Sequence, residues 1–156
     1  MKIQKLQLLE DVIAHLQQAA EHLQYSQQRT HQLSTQTSWT PEELERLESL
    51  CSRFARLSDI LTQKLLRLID ELELNPEGTL LDRIQRAEKR GWVANAGELI
   101  QIRELRNLMA HEYAVEQIHD IYKAVSILTP ILLAIVPKVQ TYAMQRAAQY
   151  LQASAL

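Results

Sequence analysis

Arg106, Asn107, His111 and Tyr113 stand within the eight-residue run Arg106-Asn107-Leu108-Met109-Ala110-His111-Glu112-Tyr113. Arginine with histidine is the pairing that cleavage of a phosphodiester asks for. A guanidinium is charged at any physiological pH and offers a planar fork of donors to phosphate. An imidazole, with an ordinary pKa of about 6.5, takes or gives a proton near neutrality. Asn107 lies four residues before His111, one helical turn, from where its amide can bond the ring and hold one tautomer.

These residues belong to a segment with helical periodicity. At 100° per residue Leu99, Ile102, Leu105, Met109 and Ala110 form one apolar arc, and Arg106 falls inside it. A charge there is costly unless it is paired, reaches solvent or meets a second surface. One reading is that its stem packs while its head snorkels or pairs with a carboxylate. The other is a functional placement. Arg103, Asn107 and His111 make a second stripe at i, i+4 and i+8, which reads either as a solvated polar stripe or as an oriented histidine. On an ideal helix Arg106 and His111 are about 140° and about 7.5 Å apart, so one helix aims them poorly at a single phosphate. Two copies across a two-fold axis can share a cleft, which makes a homodimer a functional expectation.

The elements that must position this run are all helical. Ile3, Leu6, Leu9, Val12, Ile13, Leu16, Ala20 and Leu23 keep helical spacing from Lys2 to about His31, and Ser34 to Ser38 reads as a loop. Thr40-Pro41-Glu42-Glu43 is a strong helix start, with Thr40 as N-cap and Glu43 completing a capping box. Leucines stepping by three and four, with Phe54, carry that helix to about Leu72, where Asn75-Pro76-Glu77-Gly78 ends it. Thr79 caps a short helix through Arg90, closed by Gly91. Asn95 with Glu98 opens the helix bearing the motif, expected to end near Glu112. The last helix spans roughly Glu116 to Leu151, with a kink or restart expected at Pro130 and Pro137. No segment alternates with period two, and no repeat is present. The expected fold is all-α: one domain over residues 1–156, an antiparallel up-down four-helix bundle with a short extra helix.

Composition sets the outer limits. The 156 residues hold three Gly and four Pro, which favours long helices, and are enough to bury a core without metal or disulfides. Cys51 is the only cysteine and weakly favours a reducing compartment. His15, His22, His31, His111 and His119 are spaced seven to nine residues apart at their closest, a loose fit to a ligand pair, so neither metal nor cofactor is expected. The formal charge of −2 argues against generic phosphate attraction and requires any nucleic-acid role to be local. The opening Met1 to Leu16 does not read as a signal peptide, and the most apolar run, Ala124 to Val136, is too short to span a bilayer. The expectation is a soluble cytoplasmic protein with no membrane partner.

Arg106, His111 and Tyr113 also match the Arg-x4-His-x-Tyr signature of HepT-like proteins of the HEPN superfamily, with Asn107 in a position commonly polar there. Leu80 to Arg83, Ala87 to Gly91 and Ile102 to Asn107 look like relatives described as substrate-binding partners of nucleotidyltransferases. The resemblance covers roughly Thr79 to Ala114 and is architectural elsewhere. It implies a helical-bundle homodimer acting as a metal-independent endoribonuclease, the toxin of a toxin–antitoxin pair. The implied partner is a minimal nucleotidyltransferase antitoxin that silences the toxin by AMPylation of the motif tyrosine, here Tyr113. The substrate is RNA, tRNA or mRNA, whose own 2′-hydroxyl is the nucleophile. His111 would move the proton, Arg106 would stabilise charge on the phosphorane-like transition state, and Asn107 would orient His111 or a phosphate oxygen. The product would carry a 2′,3′-cyclic phosphate.

Arg83, Arg86, Lys89 and Arg90 form a basic cluster that reads either as a grip on RNA or partner, joined by Arg103, or as a solvated face. Glu104 reads either as a structural partner of Arg103 or as an aid to acid–base chemistry, and Asp59 is a carboxylate that can reach the motif if the fold brings it there. Trp39 and Trp92 read as loop anchors and His119 as surface. Three functional readings compete: the composite-site ribonuclease, a noncatalytic subunit that presents itself or a substrate to a nucleotidyltransferase, and a helical adaptor that uses its apolar dimer face alone. The chain is not itself that transferase, since it lacks strands and the metal-holding carboxylate motif.

Overall fold

The chain folds as six α-helices among the described residues, and no strand is present there. The structure is a computed structural model that describes residues 2–73, 77–111 and 116–154. The helices are α1 (Lys2–Arg29), α2 (Pro41–Asp59), α3 (Leu66–Leu72), α4 (Leu80–Lys89), α5 (Ala96–Met109) and α6 (Ile118–Ser154). A π-helical segment, Ile60–Leu65, joins α2 to α3, so that residues 41–72 form one rod.

The N-terminal signals act as the sequence indicates. Thr40 Oγ1 accepts from the Glu43 amide while Glu43 returns a bond to the Thr40 amide, and Pro41 occupies the first turn. Thr79 and Asp82 repeat the device on α4, which Gly91 closes at φ +80°, a left-handed value that glycine adopts without strain. Asn95 caps α5 through the Glu98 amide.

α1 lies against the 41–72 rod in the opposite direction: Ser26 meets Arg53 and Lys5 meets Glu71. α6 packs on α1 and α2, and α5 packs on α6, α2 and α4. The shared core includes Leu9, Leu16 and Leu23 of α1, Leu50, Phe54 and Leu57 of α2, Leu99 and Ile102 of α5, and Val125, Leu132 and Val139 of α6. A smaller cluster of Leu33, Leu47 and Tyr122, with Trp39 against it, closes the end where α2 and α6 begin. Trp39 donates to the Leu33 carbonyl at 2.7 Å and stacks on His119 at 4.4 Å, while His119 Nε2 meets the Thr37 carbonyl at 3.1 Å. His119 is exposed, as expected, and also joins the loop anchor.

Four expectations are corrected. The segment around Ser34 to Ser38 is partly ordered, as a 3₁₀ turn at Leu33–Thr35. α6 runs through Pro130 and Pro137 as one helix. Both prolines face solvent, where water can take the carbonyls they leave unbonded, and the opposite face is held in the core. α5 ends at Met109, not near Glu112. Finally, the stretch Ile118–Ala153 is long and apolar enough by length and composition to cross a bilayer, with mean hydropathy 1.6 in its best window. The shorter run Ala124 to Val136 understated it. In this fold the same helix is a core element, with Val125, Leu132, Val139 and Ala143 fully buried.

Candidate functional site

The motif arginine is gripped by a carboxylate from another helix. Asp59, the last residue of α2, takes Arg106 in a forked pair: Nε lies 3.1 Å from both carboxylate oxygens and Nη2 lies 3.0 Å from Oδ2. Arg103 Nη1 shares Oδ1 at 2.9 Å. Two guanidiniums on one carboxylate leave a surplus of one positive charge. The Arg103 and Arg106 side chains are 14% and 27% exposed and Asp59 is 39% exposed, so the cluster is partly shielded from solvent. Arg106 Nη1 makes no hydrogen bond among the described residues. Arg103 Nε is buried without a hydrogen-bond partner among the described residues.

Ion pairs this open contribute on the order of 1 kcal/mol or less. A bidentate fork fixes direction more than it adds stability. Asp59 also stands where α2 gives way to the π-helical turn, a feature often found at functional sites because it re-aims side chains locally. Within that turn Thr62 Oγ1 donates to the Ser58 carbonyl at 2.7 Å, and Ser58 is fully buried.

The sequence-derived residues divide. Arg103 and Arg106 come together on Asp59, and Arg103 pairs there rather than with Glu104, which is exposed beside a groove between α5 and α6. Asn107 is exposed on α5. His111 lies beyond the helix end: Ala110 caps α5, and the His111 amide bonds the Leu108 carbonyl at 3.0 Å. The one-turn relation between Asn107 and His111 is therefore not carried by α-helical geometry. Glu112 and Tyr113 lie outside the described residues.

The basic cluster of α4 also divides. Arg86 bonds Asp70 at 2.9 Å and the Glu77 carbonyl at 3.1 Å. Arg90 bonds Asp70 at 3.2 Å and Glu73 at 2.6 Å. These two residues dock α4 onto α3, while Lys89 is exposed and Arg83 is half-buried. Burial alone would raise the Glu73 carboxyl, but hydrogen bonds from Tyr142 and Arg90 and the charges of Arg90 and Arg146 hold it below its ordinary range. Burial likewise opposes the charge on Arg90, and Glu73 and Asp70 overcome it, raising its pKa. Trp92 is buried edge-on to Tyr142 at 5.0 Å, as an anchor.

Asp59 is the only carboxylate between Ser52 and Ile69, and that isolation was the signal available in the sequence. Among the described residues no group of three His, Cys, Asp or Glu side chains could hold a metal ion. Comparison with family models, curated proteins and solved structures finds no match to this chain.

Proposed function

We propose that this protein is a HepT-like, HEPN-type endoribonuclease, the toxin of a pair whose antitoxin is a minimal nucleotidyltransferase. The observation that carries the reading is the Asp59 fork. It holds Arg106 in one direction, with no hydrogen bond at Nη1 among the described residues and net positive charge around it, five residues before His111. A preoriented guanidinium in a half-shielded site stabilises phosphorane charge with little reorganisation, typically worth a few kcal/mol. His111 transfers the proton between the 2′-hydroxyl and the leaving 5′-oxygen. The bundle is up-down and HEPN-like in this reading, and the protein acts in the cytoplasm.

The active form is a homodimer. A groove of about 360 Å³ between α5 and α6 is lined by Leu105, Leu108, Ala124, Ile127 and Leu128, and Ile127 is 63% exposed. This apolar groove flanks the motif helix, as an interface that brings two motifs together requires. AMP on Tyr113 would place bulk and negative charge where the RNA phosphate must lie.

The same fork also favours the second reading, a noncatalytic partner subunit, because an arginine engaged by a carboxylate can be purely structural. Expression of Arg106→Ala and His111→Ala separates the two. The ribonuclease reading expects both to relieve growth arrest and leave partner binding intact; full toxicity in either variant would contradict it.

A further inference from the structure

A second positive surface runs along the α1–α2 groove. His15, His22 and Arg29 follow one another at seven-residue steps on α1, and Arg46 and Arg53 do the same on α2. Seven residues are nearly two helical turns, about 10 Å of rise, so each series keeps to one face. Because the helices are antiparallel, the two series face each other across the groove. Its upper part is a cavity of about 370 Å³ bordered by Arg29, Arg46, Arg53 and Tyr25. Its lower part, about 330 Å³, is bordered by His15, His22 and Arg56. Arg53 joins the two parts, donating to Ser26 Oγ at 2.8 Å and to the His22 carbonyl at 3.2 Å.

Arg29, Arg46, Arg53 and Arg56 make no ion pair among the described residues, unlike Arg86, Arg90, Arg103 and Arg106. Glu42 and Glu45 also border the upper cavity, so its three arginines leave a surplus of one positive charge there, and Arg56 adds another in the lower part. Tyr25 is 54% exposed, with the Arg29 and Arg53 guanidiniums 5.6 and 5.8 Å from its ring centre. Arginines in a track beside an exposed aromatic ring are the combination that holds an unpaired nucleic-acid strand: guanidiniums take phosphates, and ring and guanidinium planes take bases.

We infer that the α1–α2 groove binds the phosphate backbone of single-stranded RNA, with Tyr25 as a stacking platform. This rests on the reading of RNA as substrate and supplies the local basic surface that a chain of net charge −2 needs. The test uses the full chain carrying His111→Ala, to prevent cleavage, and a fluorescein-labelled, unstructured 12-nucleotide RNA followed by anisotropy across a salt series. Arg46→Glu with Arg56→Glu is expected to weaken binding at least tenfold and to reduce the salt slope by about 1.4, the amount for two single-strand phosphate contacts. Neither arginine side chain makes a hydrogen bond or ion pair among the described residues, and circular dichroism checks that the fold is retained. Tyr25→Ala is expected to lose about fivefold or more. Unchanged affinity and slope in the charge variant would overturn the inference, as would equal displacement of the RNA by polyglutamate of the same charge. RNA cleavage by the parent together with unchanged binding in the variants removes the groove and leaves the nuclease. Groove-dependent binding without cleavage does the reverse.

Discussion

At Asp59 one carboxylate serves two arginines, and the open geometry says that its task is aim rather than stability. Asp59→Asn keeps the size and loses the fork. It is expected to lower kcat for RNA cleavage by about ten- to a hundredfold, less than the roughly hundred- to thousandfold loss that follows removal of a transition-state donor outright, while unfolding free energy changes by about 1 kcal/mol or less. Steady-state kinetics beside urea unfolding checks both; a large stability loss with intact kcat would make Asp59 structural. The sequence named Arg106 and offered Asp59 as a carboxylate able to reach it, but could not place it there, because Asp59 is 47 residues away and only tertiary packing joins them. Cys51 makes a separate prediction. Burial pushes its thiol up to about 12, so the folded state favours the protonated form. Its contribution to stability is complete below the ordinary thiol range and falls as pH rises from about 9 toward 12. A thiol reagent at pH 8 should label the native chain far more slowly than the unfolded one, and equal rates would contradict this.

Among the elements, α4 is held by charge as much as by apolar contact. Asp70 is 2% exposed and carries Arg86 and Arg90. Removing one partner of such a cluster leaves buried charge uncompensated, so Asp70→Ala is expected to cost about 3–5 kcal/mol in urea unfolding. Glu73, held below its ordinary range, contributes fully above that range. Its contribution is lost as pH falls through the lowered value, so the urea midpoint should drop on acidification below about 4.5 and less steeply in Glu73→Gln. The starts of α2, α4 and α5 were legible because a cap is local chemistry: a hydroxyl or amide three residues from the amide it accepts. The π turn was not, since leucines stepping by three and four run unbroken across it. The prolines of α6 misled because local propensity yields when one face of a helix is core and the proline face is solvent.

For the whole molecule, net charge concealed what mattered: acidic residues elsewhere mask a basic groove and a positive motif cluster. The homodimer proposal makes Ile127→Glu its sharpest test. A charge placed in the α5–α6 groove should yield a monomer by sedimentation and abolish cleavage with the fold intact; an active monomer would contradict the composite site. Mixed dimers of Arg106→Ala and His111→Ala subunits should recover cleavage that neither variant shows alone. The central claim is tested most directly by mass spectrometry of RNA termini after incubation with the purified chain and with its His111→Ala form in the presence of a metal chelator. The account predicts 2′,3′-cyclic phosphate and 5′-hydroxyl ends from the parent and none from the variant. Intact RNA with the parent, or the same ends with the variant, would contradict it.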